Sequence, residues 1–351
     1  MRYNRFIMLE LFSILFIVFG LSVLVIIHEA GHFLTAKWLG LLVEEFGFGL
    51  PPRIWGKKIG DTLYSFNWLP FGGFVKIYGE RHGEEKPGIE ITKNFSHQPV
   101  YKRALIIVAG VLMNFLLGWL LISLVYMIGI PQALLVTEVK ESGIASAAGI
   151  LKGDQLLDFK TVPELVKFIG QNKGKEISLR IKRIDQEIPI KVIPRILVPE
   201  GEGNLGIFLV ESGLPRLGIF PSLWQGWKTA LQAAGAIFLG LADLTIGVFT
   251  NISILEKFVG PVGIVSVAIE TAKLGIVHSL QLLALISLNL AVFNVIPIPA
   301  LDGGRLFLLF IEKIKGKPLN QKIEMALSGI GFAFLFFLII AITIKDILTL
   351  F

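Results

Sequence analysis

Cysteine is absent from the 351-residue sequence. Its absence excludes a disulfide framework and any thiolate metal ligand, leaving histidine and carboxylate as the side chains able to hold a metal. Charge is scarce too: Asp, Glu, Lys and Arg make up 17% of residues, against about 25% in ordinary soluble chains. The net charge of +6 is not arranged as a Lys/Arg stripe interleaved with aromatics. That argues against a nucleic-acid partner, whereas basic loops between apolar runs suit a lipid bilayer. Also missing are an inverted repeat and paired broken helices, the features expected of a transporter.

Apolar sequence is what the chain has in quantity, with 54% hydrophobic residues and a mean hydropathy of +0.72. Four long runs stand out: Phe6 to Ile27, Ala104 to Ile130, about Leu280 to Ile298, and Ala326 to Ile344. Each is close to the ~20 residues that a spanning helix requires. The first is too long for a signal-peptide core and is expected to be a retained span. It contains only Glu10, Ser13 and Ser22 as plainly polar positions. Lys313, Lys315, Lys317 and Lys322 lie between the last two runs, which puts that loop in the cytoplasm by the positive-inside rule.

Between the second and third runs the pattern changes to that of a folded extramembrane region. Ile177, Leu179 and Ile181 alternate with polar residues, the period of a half-buried strand. Asn172-Lys173-Gly174 supplies a turn before it, and Gly153-Asp154 leads into a strand expected at Gln155 to Phe159. Thr161 and Glu164 have capping-box spacing and predict a short helix through Val166 and Ile169, with Pro163 in its first turn.

The chemistry is concentrated in His28-Glu29-Ala30-Gly31-His32, at the end of the first run. A helix puts residues i and i+4 on one face, so both imidazoles can grip one metal ion. A zinc enzyme uses three protein ligands and keeps one position open. Asp302 is the candidate for the third. It ends Asn294-Val-Ile-Pro297-Ile-Pro299-Ala-Leu-Asp302 and is followed by Gly303-Gly304. The prolines interrupt helical hydrogen bonding, the glycines allow close backbone approach, and an ionisable group at this depth is a functional candidate by default. Asp302 also suits a plain helix cap after a proline break. Glu29 is suited to take a proton from water and pass it to a leaving amine. Asn114 in the second run fits interhelical packing and substrate contact equally well.

Thr229 to Phe249 is a further apolar segment, interrupted by Gln232 and Asp243. One additional crossing there would put residues near 300 on the opposite side from His28. An interfacial helix is therefore expected, with Trp224 and Trp227 as headgroup-level anchors, unless Val259 to Ala272 makes a matching second crossing.

The pairing of His28–His32 in the first span with Asn294–Gly304 at the end of the third resembles the site-2 protease family of intramembrane zinc metalloproteases. The likeness covers most of the chain in order. Leu69-Pro70-Phe71-Gly72-Gly73-Phe74-Val75-Lys76, followed by Gly79-Glu80, resembles the family's membrane-associated β-hairpin, and Gly260-Pro261-Val262-Gly263-Ile264 its segment before the third span. Residues 132–210 are similar to its PDZ domain, with Ala145 to Gly149 and Lys152-Gly153-Asp154 as matching positions. The architecture looks like the bacterial sigma-E-activating branch, with room for one PDZ domain where many members carry two. Arg305 stands where a histidine is common after the double glycine, and Val111 where a proline often follows Ala109-Gly110.

The resemblance implies a polytopic α-helical membrane protein with four transmembrane helices, a membrane-associated β-hairpin and one inserted α+β PDZ domain. The expected division is 1–131 for the first two spans and the hairpin, 132–210 for the PDZ domain, 211–279 for an interfacial segment and 280–351 for the last two spans. It implies that His28, His32 and Asp302 bind zinc and that Glu29 is the general base. Asn289 and Asn294 would hold substrate backbone or the developing oxyanion, a role set against that of interhelical hydrogen-bonding groups. Gly72, Gly73 and Val75 would present a strand edge to an unwound substrate, as against forming only a tight turn. The implied substrates are single-span membrane proteins such as anti-sigma factors or remnant signal peptides. The implied location is the bacterial inner membrane, with the active site toward the cytoplasm and the PDZ domain outside. The competing class is a catalytically inactive PDZ adaptor or an ion transporter; binding alone has no need of Glu29.

Overall fold

The computed structural model describes residues 2–80, 88–140, 143–183, 186–198, 203–247, 259–317 and 319–350. The chain divides into two compact units, one of residues 125–222 and the other of residues 1–124 and 223–351.

Among the described residues of the larger unit, four helices are long and apolar enough to cross a membrane: Val18–Trp38, Val100–Ile128, Ile276–Phe293 and Lys322–Leu348. They lie in helices α1 (Arg2–Trp38), α2 (Val100–Ile128), α7 (Ile276–Phe293) and α9 (Gln321–Leu350). The expected spans are thus present with shifted ends, and the chain is built as an integral membrane protein. Helix α1 runs straight on through His28 and His32. Helix α7 stops at Phe293, short of the Ile298 expected from hydropathy, because Pro297 and Pro299 remove donors and bias the residues before them away from helix. Side chains of residues 1–17, Glu10 included, lie outside the described set.

Helix α5 (Ile219–Gly247) covers most of the fifth apolar segment; residues 248 and 249 lie outside the described set. Its two tryptophans differ in role. Trp224 is exposed, with Lys228 Nζ 5.1 Å above its ring. Trp227 packs edge-on against Phe115 and Trp119 of α2, with ring centroids 5.4 and 5.5 Å apart. Helix α6 (Pro261–Lys273) follows; at 1.5 Å per residue it is about 20 Å long, short of the ~30 Å hydrocarbon core. It packs against α1, α7 and α9.

Strands β1 (Val43–Ile59) and β2 (Thr62–Ile77) form an antiparallel sheet in which each strand folds back on itself. Phe46 pairs with Tyr64 on one side and Val75 on the other, and Phe48 with Phe66 and Gly73, while the second half of β1 returns along residues 62–67. The left-handed φ of +76° at Gly49 and at Gly72 marks the bends, a conformation that glycine adopts without penalty. Residues 73–77 consequently form an outer rim of this sheet, packed against α1.

The smaller unit holds a five-stranded sheet in the order β6-β5-β4-β3-β7, built from β3 (Ile130–Val139), β4 (Gln155–Leu156), β5 (Ile177–Arg183), β6 (Gln186–Val192) and β7 (Ile207–Leu214). Two helices join it, α3 (Ile144–Ala147) and α4 (Val162–Gln171). The alternation read at 177–181 is present: Ile177, Leu179 and Ile181 are buried with Leu134, Val136, Leu156, Leu165 and Ile169. Thr161 caps α4, its side chain accepting from Glu164 N at 3.4 Å, while Val166 faces outward. Strand β4 ends before the expected Phe159 because Asp158 takes over the pairing, its carboxylate accepting from Arg180 N and Nε at 2.7 Å each.

Candidate metal centre

The continuous α1 helix puts the two histidines one turn apart, ring centroids 4.8 Å from each other and nearly perpendicular at 86°. Both are buried. The carboxylate comes from the far end of the sequence. After α7 the chain forms a short irregular loop in which Ile298 N donates to Ile296 O at 2.7 Å and Leu301 N to Ile298 O at 2.9 Å. Gly303 N donates to Asn294 O at 2.7 Å and closes this loop. Helix α8 (Asp302–Lys315) then starts on the carboxylate itself. The double glycine is required by contact: a Cβ on Gly303 would lie 2.2 Å from Val295 O, and one on Gly304 2.1 Å from Ile298 O.

Asp302 Oδ2 is thereby placed 3.0 Å from His28 Nε2 and 3.4 Å from His32 Nε2, and the two Nε2 atoms are 3.2 Å apart. Oδ2 is buried and accepts no hydrogen bond. Ligands about 2.0–2.1 Å from a tetrahedral zinc ion stand about 3.3 Å from one another, so this triangle fits one such ion. Among the described residues it is the one cluster of three His or carboxylate groups so disposed.

Glu29 lies at the β-sheet. Its Oε2 accepts from Val75 N at 3.1 Å, and a Cβ on Gly73 would come within 3.9 Å of its Cγ and 2.9 Å of Gly47 O. Gly73 and Val75 therefore gather at Glu29, and Gly72 supplies the bend before them. Asn294 caps α7 and meets the Asp302 loop through its backbone carbonyl. Asn289 bonds back to its own helix, Nδ2 donating to Leu285 O at 3.0 Å.

Further groups surround the site. His32 Nδ1 donates to the carbonyl of Ile106 at 2.8 Å, and any residue could supply that oxygen. Asn114 approaches His28 Nδ1 at 3.4 Å. Arg305, on the first turn of α8, pairs with Glu80 at 2.5 Å, just beyond the end of β2. Further along α8, Glu312 forms a two-pronged pair with Arg103 of α2.

The model of the family described as Peptidase family M50 matches residues 16–338, which include all of these groups. The chain belongs to peptidase family M50. Membership in this, the site-2 protease family, makes it a membrane zinc metalloprotease, a hydrolase of peptide bonds in membrane proteins. Its relatives include the regulator of sigma-W protease RasP of Bacillus subtilis, 29% identical over 95% of this chain and 97% of that protein. Zinc metalloprotease RasP of Bacillus licheniformis is 28% identical, with 95% and 98% covered. The chloroplastic membrane metalloprotease ARASP of Arabidopsis thaliana is 30% identical over 96% of this chain and 79% of its own length.

Proposed function

We propose that His28, His32 and Asp302 hold the zinc ion and that Glu29 is the general base for hydrolysis of a peptide bond in the membrane-embedded part of a substrate. The convergence of His28 Nε2, His32 Nε2 and Asp302 Oδ2 to separations of 3.0–3.4 Å carries this reading. Zinc in that position supplies Lewis acidity toward a carbonyl or a water. Glu29 follows His28 in sequence and is steered by Val75 N–H, so one carboxylate oxygen is occupied while the other is left to take a proton from water and deliver it to the leaving nitrogen.

A substrate arriving as a helix must unwind, and its freed backbone groups need partners. The outer rim at Gly73–Ile77 offers strand pairing, and Asn289 and Asn294, on α7 and its cap, offer side-chain amides to the substrate backbone. The smaller unit is assigned as a single PDZ domain over residues 132–210, gating access by docking or excluding the extramembrane part of the substrate; its five antiparallel strands and two helices support this. Residues 211–279 are assigned as the segment linking it to the last two spans. The Lys313–Lys322 cluster supports a bacterial inner-membrane orientation with the metal centre in the cytoplasmic half and the PDZ domain outside. The name of the Bacillus subtilis relative, a regulator of sigma-W protease, supports single-span substrates of the anti-sigma type; remnant signal peptides share that form.

The ligand assignment is tested by zinc content after purification. His28→Ala, His32→Ala and Asp302→Ala should each lose bound zinc, and zinc retained at wild-type stoichiometry in any one removes that residue from the set.

A further inference from the structure

Three positions on one face of α2 meet the two metal-site histidines. Ile106, Gly110 and Asn114 are spaced four residues apart, so they stack along the helix. At Gly110, an added Cβ would stand 2.3 Å from His32 Nε2 and 2.9 Å from His28 Cε1. Only glycine lets α2 lie this close. The Ile106 carbonyl, below it, can only accept, so its 2.8 Å contact puts the hydrogen of His32 on Nδ1 and leaves Nε2 with a free lone pair. His32 is thus held in the tautomer that a metal needs.

His28 has the same requirement and a different neighbour. Its Nε2 points into the triangle with His32 Nε2 and Asp302 Oδ2, so its hydrogen belongs on Nδ1. Asn114 is the residue facing Nδ1, at 3.4 Å through Nδ2. Two donors would then oppose each other. Meanwhile Asn114 Oδ1 is buried with no hydrogen-bond partner, in a side chain only 1% exposed. A half-turn of the amide exchanges the near-isosteric oxygen and nitrogen. It turns the opposed donors into a hydrogen bond in which Oδ1 accepts from His28 Nδ1–H.

We infer that Asn114 is a positioning residue of the metal centre, its amide oxygen fixing the His28 tautomer that presents Nε2 to the metal, as the Ile106 carbonyl does for His32. The inference rests on the ligand assignment proposed above. The backbone of Asn114 is itself anchored: its carbonyl accepts from Ser287 Oγ at 2.7 Å. This ties the same turn of α2 to α7, the helix that leads into the Asp302 loop. One face of α2 therefore registers all three ligands, two by their rings and one through its supporting helix.

The test is the zinc dissociation constant of the full chain in detergent, by chelator competition, for wild type, His28→Ala, Asn114→Leu and Asn114→Asp. Asn114→Leu keeps the volume and removes the acceptor, and should weaken zinc binding about 10-fold or more, the scale of outer partners of metal-bound histidines. Asn114→Asp keeps an acceptor and cannot donate, and should hold zinc within about 3-fold of wild type. Wild-type affinity in folded Asn114→Leu overturns the inference, and so does a loss in Asn114→Asp matching that of Asn114→Leu. If Asn114→Leu does not fold, Asn114→Asp decides alone: retention upholds an accepting partner, whereas a 10-fold loss identifies a donating one. Zinc binding unaffected by His28→Ala would instead refute the ligand assignment, an outcome distinct from failure of the Asn114 role.

Discussion

Val75 N donates to Glu29 Oε2 across 3.1 Å, from the outer rim of the β-sheet to the helix that carries His28 and His32. The rim proposed to pair with substrate backbone thus holds the proposed base. This bond ties strand to base, and a change in the strand is expected to reach the chemistry without touching the metal.

Gly73→Pro tests that link. The ring removes an N–H from the rim, and substituent atoms are forced toward Gly47 O, where even a Cβ would lie 2.9 Å away. Turnover of a single-span substrate should fall about 10-fold or more, with zinc stoichiometry unchanged. Parallel loss of zinc and turnover would show that the strand is merely part of the scaffold.

Two glycine-to-alanine substitutions should act in opposite directions. Gly110→Ala places a methyl 2.3 Å from His32 Nε2 and is expected to abolish zinc binding and cleavage together. Gly235→Ala lies in α5 with nothing within 4 Å of the new Cβ. It should stabilise the chain by about 0.5–1 kcal/mol, read as a higher midpoint of thermal unfolding. A Gly110→Ala protein with wild-type zinc content would contradict the close approach of α2.

Arg305 and Glu80 join the first turn of α8 to the end of the hairpin at 2.5 Å. The pair is partly exposed, so its coupling is expected to be about 1 kcal/mol or less. Arg305→Gln should weaken zinc binding by a few-fold, because Asp302 starts the same helix. A double-mutant cycle with Glu80→Gln measured on zinc affinity checks this; strictly additive losses would show that the pair does not steady Asp302.

Acid sensitivity of the smaller unit centres on Asp154. Burial opposes its charge, but Arg183, at 2.8 Å from both carboxylate oxygens, and the Leu151 N–H hold its carboxyl below the usual range. A carboxyl depressed in the folded state contributes stability above the ordinary carboxylate pKa of about 4. That contribution disappears as pH falls from there through the lowered folded value. Asp154→Ala should cost about 1–3 kcal/mol at neutral pH and flatten the acid limb of the stability profile. An unchanged acid limb in thermal melts would exclude Asp154 as its source.

The legible parts of this fold were those with a local period or a local letter. The apolar runs marked the membrane helices, the alternation at Ile177–Ile181 marked a strand, and His28, Glu29 and His32 shared one helix face by spacing alone. The pairing of the first half of β1 with both halves of β2 was hidden, because a tight turn at Gly72 does not show whether the chain folds back beside itself. Nothing local in the sequence shows Phe115 and Trp119 packed against Trp227. The Ile106 carbonyl has no letter at all. Asn114 was visible as a polar residue in an apolar helix, but its partner is 86 positions away, and only the packing at Gly110 brings the two together.

Glu29 is proposed to work on a metal held by His28, His32 and Asp302. The most direct test compares purified wild type with Glu29→Gln for cleavage of tagged single-span substrates in detergent, with zinc assayed in both. Abolished cleavage with full zinc occupancy in the variant is the predicted result. Cleavage by Glu29→Gln at the wild-type rate would show that Glu29 is not the base.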